Sequence, residues 1–294
     1  MGKDMTQGNL AKTLVLFTVP LVLSGLFQQM FNWVDAFIVG NVEGEISLAA
    51  IGATTAIYSL FITIILGFTS VLSILASQQY GMGEKQKLKA TMSSFVVLLG
   101  GIFILLAILG IIFTSPILVL LNTPENLFLI AGQYLRIMFI GIPFLAIYNT
   151  YAAILRGLGD SRAAFLSVIV SSVANVVLDI IFVAVLRYGV AGAAVATVIS
   201  QGAITIFIVR YTIKNYHHLR FRFDRHVIDK NVLMKGFEFG LPPSAQSGAS
   251  SVGNLILQRF MNGFGEQTVA AITTAYRVDT MILLPIINFG SGVA

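Results

Sequence analysis

Eight long apolar runs dominate this chain and fix what it can become. They cover roughly residues 14–40, 48–76, 91–121, 127–155, 163–186, 189–213, 233–260 and 268–294. At 1.5 Å of rise per residue, each is long enough to cross a hydrocarbon core of about 30 Å as a helix. In lipid every backbone N–H and C=O must be satisfied internally, so runs of this kind predict membrane-spanning helices. Composition agrees. Only 11% of the residues are charged, and mean hydropathy is +0.88, whereas a soluble domain carries about 25% charged residues to coat its surface. The run from residue 14 to Gly40 is too long for a signal-peptide core, and it is expected to stay as the first span. Pro20, Pro143, Pro242 and Pro285 fall inside runs, where proline marks a bend that neighbouring helices tolerate.

The basic residues set an orientation. With the N-terminus in the cytoplasm, fourteen of the 18 Lys and Arg residues fall on inner segments, from Lys3 and Lys12 through Lys85, Arg156, Arg210 and Lys214 to Lys235. The outer loops hold only Arg187 and Arg259, and Arg136 and Arg277 lie within spans. This is a strong positive-inside bias. It places the net charge of +5 against the anionic inner leaflet, so nucleic acid is not expected as a partner.

The chain also repeats. Gly44-Glu45-Ile46-Ser47-Leu48-Ala49-Ala50-Ile51 returns as Gly265-Glu266-Gln267-Thr268-Val269-Ala270-Ala271-Ile272, identical at five of eight positions. Phe17-Thr18-Val19-Pro20 pairs with Phe239-Gly240-Leu241-Pro242, and Ser24-Gly25 with Ser247-Gly248, at nearly the same offset. One period contains six spans. An even number returns the chain to the same side, so the repeats are parallel, as in two-lobe transporters. The expected fold is an all-α polytopic membrane protein of parallel six-helix repeats. Residues 1–214 form a complete first lobe, 215–232 a cytoplasmic inter-lobe loop, and 233–294 the first two helices of a second lobe. Two full lobes would need about 440 residues, so the chain is expected to be a fragment.

Ionisable groups inside the bilayer cost roughly 2.5–3.5 kcal/mol or more and are functional candidates by default. Asp35 in span 1 and Asp179 in span 5 are expected to lie at one depth near the outer side. Asn175 precedes Asp179 by one turn on the same helix face, and Thr197 in span 6 falls at a similar depth. Together they make an oxygen cage with two carboxylates, suited to a hard monovalent cation or a shared proton. Asn175 and Thr197 taken alone would also fit a simple interhelical bond. Arg277 and Asp279 in span 8 stand two residues apart and do not face each other; Glu238 near the inner end of span 7 is expected to snorkel. Enzymatic constellations are missing. His217, His218 and His226 lie in the inner loop without an acidic cluster, and no phosphate-binding loop precedes a Lys-Ser/Thr pair. Gly157-Leu158-Gly159-Asp160 is expected to be a tight turn. No enzyme activity, cofactor or ATP motor is expected.

Several motifs together carry a family resemblance over nearly the whole chain. Val34-Asp35, Val39-Gly40, Leu48-Ala49-Ala50-Ile51-Gly52, Arg156-Gly157-Leu158-Gly159-Asp160, the stretch Asn175 to Asp179, and Gly189 to Thr197 resemble the multidrug and toxic compound extrusion (MATE) transporters. The resemblance implies twelve helices in two lobes and export of amphipathic, often cationic compounds by a membrane-embedded monomer, driven by inward H+ or Na+. In the prokaryotic branch related to the DNA-damage-inducible member, the cation site lies in the first lobe. Its residues match Asp35, Asn175, Asp179 and Thr197, which would also hold Na+, and the span 1 proline whose bending accompanies coupling matches Pro20. The alternative is a lipid-linked oligosaccharide flippase of the same superfamily, which the scarcity of intramembrane Arg disfavours.

Overall fold

The computed structural model describes residues 10–220 and 230–262, with isolated positions at 275, 279, 282, 283, 286 and 290. Among these residues the chain is helical almost throughout. The first element, α1 (Leu10–Gly81), joins two apolar runs end to end across one non-helical residue, Gly44, at φ 82° and ψ −176°. Only glycine takes that conformation without strain. We call the two halves α1a (10–43) and α1b (45–81). The sequence predicts a connector at residues 41–47; the structure instead continues helix up to Gly44 from both sides.

The chain then turns through Gly83, at φ 73°, into α2 (Lys85–Ile112). The third run is also divided. Helix α2 stops at Phe113 and the short α3 (Thr114–Leu120) follows. Helix α4 (Glu125–Gly157) starts after Pro124, which cannot serve as an interior helix donor, and it contains Pro143. Next come α5 (Ser161–Asp179), a π-helical turn at Ile180–Val185, α6 (Gly189–Asn215) and α7 (Lys230–Asn262). Most of the eighth apolar run, Arg277 included, lies outside the described residues; Asp279 is helical and exposed.

Helix α4 sits at the centre, packed by α1, α2 and α6. Its Leu135, Phe139, Ile142 and Ile154 are buried with Ile65 and Leu72 of α1b and Phe95 and Phe103 of α2. The Phe61 and Phe139 rings meet edge-on, with centroids 5.2 Å apart. Small residues let backbones approach where no water-driven force operates between helices. A Cβ on Gly157 would lie 2.5 Å from the Ser73 carbonyl oxygen, and one on Gly67 would lie 2.6 Å from the Ser244 Cα. That second contact docks α7 on α1b, together with the Phe68–Phe237 ring pair. The described part of the segment expected to open a second lobe therefore packs along the first. The outward faces are apolar: Leu105, Ile112, Leu120 and Leu129 are all exposed, which suits lipid contact and would be costly in water.

Buried hydroxyls are mostly satisfied inside their own helices. Thr69, Thr150, Ser167, Ser200 and Thr212 each donate to the carbonyl four residues earlier. That economy makes the unsatisfied groups stand out.

Candidate functional site

Among the described residues, the buried side-chain polar atoms without a partner are Thr18 Oγ1, Asp35 Oδ1, both carboxylate oxygens of Asp179, Gln201 Oε1 and Ser244 Oγ. Asp35 and Asp179 belong to one place. Their carboxyl groups face each other within hydrogen-bonding reach. Asp179 is 0% exposed. Four residues earlier on α5, Asn175 Nδ2 donates to Thr197 Oγ1 of α6 at 3.5 Å. The sequence predicts a grouping of Asp35, Asn175, Asp179 and Thr197; the structure pairs Asp35 with Asp179 and Asn175 with Thr197, with Asn175 and Asp179 one turn apart on α5.

Helix periodicity explains the convergence. Val39, Val183 and Ala193 form one small buried cluster. Each lies four residues from a site residue: Val39 from Asp35, Val183 from Asp179, and Ala193 from Thr197. Residues four apart share a helix face, so α1a, α5 with its π turn, and α6 stack an apolar layer directly above the polar one. This layer closes the site toward the ends of the helices near Glu43 and Gly189. Thr197 lies eight residues into α6, about 12 Å from its start, and Asp35 lies about 12 Å from the end of α1a. The π turn begins at the residue after Asp179. Such turns widen a helix by one residue and recur at functional sites, and no feature of Ile180–Val185 in the sequence announces it.

Three further residues complete the surroundings, and sequence reasoning missed them. The Tyr134 hydroxyl of α4 lies within electrostatic reach of Asp35, Asp179 and Tyr58. Tyr134 is buried in a cluster with Met138, Val190 and Ala194, and Tyr58 packs against that cluster. Gln201 of α6 donates from Nε2 to the Tyr58 hydroxyl at 2.6 Å. The spacing Thr197, Gln201, Thr205 was a usable signal, since it draws a polar stripe with a period of four along an apolar helix. Tyr58 and Tyr134 gave none, because aromatic residues are ordinary in spans.

Other sequence candidates fall elsewhere. Pro20 is in α1a, with Ser24 Oγ donating to its carbonyl at 2.7 Å. Beside it, Phe17 and Leu21 pack on Ala164 of α5, and Phe27 meets Phe165. Arg136 lies within α4, is exposed, and donates from Nη2 to Ser115 Oγ of α3 at 3.1 Å. Glu238 is exposed. Asp160 is not a ligand-binding group of the Gly-Leu-Gly turn but its anchor. One oxygen accepts from Ala163 N at the start of α5, and the other accepts from the Tyr211 and Tyr216 hydroxyls.

These features define a polytopic, all-α membrane protein whose first six spans enclose a roofed two-carboxylate site. Comparison with known proteins gives the family. The MatE family profile matches residues 20–181, more than half of the chain, and the chain belongs to that family. It is 33% identical over 99% of its length to a "Probable multidrug resistance protein YpnP" of Bacillus subtilis (strain 168), spanning 65% of that relative. It is also 33% identical, over 96% of its length, to "Probable multidrug resistance protein YoeA" of the same organism, spanning 63% of it. A solved MOP superfamily transporter from Pyrococcus furiosus has the same fold, with a TM-score of 0.90 at 23% identity over 99% of this chain and 66% of that one. The chain thus spans about two thirds of the length of the relatives it matches.

Proposed function

We propose that this chain supplies the ion-coupling lobe of a secondary antiporter that exports amphipathic, often cationic organic compounds in exchange for H+ or Na+. The relatives named as multidrug resistance proteins support the substrate class. The observation that carries the coupling is the Asp35–Asp179 pair, which has three buried carboxylate oxygens and no donor. At contact distance and an effective dielectric near 20, two carboxylates repel by about 4 kcal/mol. One proton or one Na+ between them removes that cost, so the site binds its ion as substrate. Asn175 and Thr197 add neutral oxygens beside it.

The ion moves the protein through differential affinity for two conformations. Helix α1a carries Asp35 at one end and Pro20 near the other. Pro20 cannot donate to the Leu16 carbonyl, so α1a bends there at low cost and can bring Asp35 toward or away from Asp179. On the same helix Met30, Trp33 and Phe37 are exposed at helical spacing. They offer polarizable and aromatic faces to an organic cation. A cytoplasmic N-terminus, as the basic residues require, sets the direction of export across the cell's inner membrane.

The test is dye efflux from cells expressing the full-length gene product that contains this chain, with expression measured alongside. Asp35→Asn and Asp179→Asn preserve shape and delete the charge change, so efflux falls to background while membrane insertion survives. Asn175→Ala and Thr197→Ala each remove one neutral ligand worth about 1 kcal/mol, and lower efflux about fivefold. Wild-type efflux by both Asp→Asn variants at equal expression removes coupling from this pair.

A further inference from the structure

We propose that the exposed face at the C-terminal end of α6 binds an anionic phospholipid, with Arg210 and Lys214 on its phosphodiester and Ile206 and Phe207 on its first acyl carbons. The inference goes beyond the export role given above and depends on neither the coupling ion nor the drug.

The site follows from the register of α6. Val195, Ile199 and Ile206 are exposed on one side of the helix, the pattern of a lipid-facing apolar stripe. Arg210 comes four residues after Ile206, and Lys214 four after Arg210, so both cations continue that stripe. Both are exposed. Their depth follows from the rise per residue. Arg210 lies 21 residues beyond Gly189, the first residue of α6. That is about 32 Å along the axis, close to the thickness of a hydrocarbon core. Lys214 stands one turn further out, at headgroup level. From Ile199 to Arg210 the stripe runs about 16 Å, the depth of one leaflet.

A groove of about 700 Å³ follows this face. Ala203, Ile206 and Phe207 line its apolar end, and Arg210, Lys214 and Asn215 its polar end. Tyr211 stands between them as a fixed wall. Its ring stacks on Phe207 with centroids 6.3 Å apart, and its hydroxyl donates to Asp160 Oδ2 at 3.0 Å. Pinned at both ends, the ring stays out of the groove. Ala203 keeps the deep end open, because a longer side chain there would fill it.

Charge identifies the occupant. Two cations four residues apart on one helix face repel each other, and no carboxylate relieves this pair. Among the described residues the ion pair is Lys87 with Glu84, at 2.7 Å near the start of α2. Asp160 is already committed to Ala163 N and two phenols. Lys214 lies in the last turn of α6, where a cation complements the helix dipole; Arg210 is a turn too early to share that effect. An anion beside it is the remaining source of compensation. A guanidinium grips two phosphate oxygens in parallel, and an ammonium adds a point charge. Asn215 uses one N–H on the Tyr211 carbonyl at 2.9 Å and keeps a second for the headgroup. A phosphodiester with acyl chains below it suits both ends of the groove at once. A free anion would leave Ile206, 56% exposed, uncovered.

The experiment is native mass spectrometry of the purified full-length gene product, titrated in detergent with dioleoyl phosphatidylglycerol or dioleoyl phosphatidylcholine. Wild type should bind its first phosphatidylglycerol about tenfold more tightly than phosphatidylcholine. Arg210→Gln should weaken phosphatidylglycerol about fivefold, and Arg210→Gln with Lys214→Gln roughly 25-fold. Phosphatidylcholine binding should stay within about twofold in both variants, since its headgroup carries no net charge. Lys85→Gln with Lys87→Gln removes the same charge outside the groove and should leave phosphatidylglycerol affinity within about twofold of wild type. If the double groove variant fails to fold, Arg210→Gln alone decides. Equal affinity of wild type for the two lipids overturns the site. So does an equal loss in the groove and control variants, because it describes a diffuse surface charge. Displacement of the bound lipid by millimolar sn-glycerol 3-phosphate also overturns it, because the face then binds a soluble anion. Binding in detergent needs no gradient and no drug. Efflux data that removed coupling from Asp35 and Asp179 would therefore leave this result standing, and the reverse also holds.

Discussion

Replacing Asp160 by alanine should unfold the lobe from its basic end without touching the coupling chemistry. Asp160 is only 3% exposed and serves three donors. Its Oδ1 caps α5 by accepting from Ala163 N at 3.2 Å. Its Oδ2 accepts from the Tyr211 hydroxyl at 3.0 Å and the Tyr216 hydroxyl at 2.8 Å, tying α6 and the turn after it to the α4–α5 corner. Loss of a helix N-cap costs about 1 kcal/mol, and each hydrogen bond to a charged acceptor about 1.5 kcal/mol. The sum is about 4 kcal/mol, which for a chain of this size lowers the unfolding temperature by about 10 °C. Asp160→Asn keeps a good cap and can still pair with both phenols, so it should cost only about 1 kcal/mol. Thermal unfolding of the purified full-length protein in detergent, followed by circular dichroism, measures both. Equal midpoints for the Asn and Ala variants, or an Ala variant within about 2 °C of wild type, would refute the anchoring role.

Gly157→Ala should destabilise by roughly 1–3 kcal/mol, because its Cβ would meet backbone of α1b, the Ser73 carbonyl oxygen at 2.5 Å and Ser77 N at 3.0 Å. Gly101→Ala, with nothing within 4 Å, is the matched control and should be neutral or gain up to about 1 kcal/mol of helix propensity; a thermal melt that ranks the two the other way contradicts the packing. Pro20→Ala restores a donor to α1a and stiffens it, so drug turnover should drop while the melting temperature holds or rises. Unchanged turnover would remove the hinge from the mechanism.

The candidate site was legible because lipid makes charge conspicuous. Asp35 and Asp179 are isolated carboxylates in apolar runs, and the four-residue step from Asn175 to Asp179 places both on one face before any coordinate is known. What could not be read is how the third and fourth helices close around them. Tyr134 looks like any interfacial or core aromatic until packing brings its hydroxyl toward the carboxylates, and Tyr58 until its hydroxyl meets Gln201. Helix breaks were blurred for a similar reason. Gly44 interrupts α1 at a single residue where hydropathy marks a seven-residue connector, and Phe113 divides a run that is apolar on both sides. Arg136 lies within the fourth apolar run, and only packing shows that its side chain is exposed. In the structure it is on the outer face of α4 beside Ser115 of α3.

Among the described residues, the two carboxylates that are 3% exposed or less pose a direct contrast. Asp160 receives three donors from α5, α6 and the following turn. Asp179, at 0% exposure, receives none. The neighbours of Asp179 include a second carboxylate and Tyr134, although the same fold readily supplies backbone N–H and phenol donors 19 residues earlier in the chain. A buried carboxylate without donors is paid for only if something else neutralises it. At Asp160 that something is permanent, and the residue is an anchor whose loss costs stability. At Asp179, under the proposed coupling role, it comes and goes, and the residue's substitution by Asn should relieve an electrostatic cost, leaving the melting temperature equal or higher while transport is lost. Stability and activity therefore move together at Asp160 and apart at Asp179, and that opposition is what separates a structural aspartate from a coupling one.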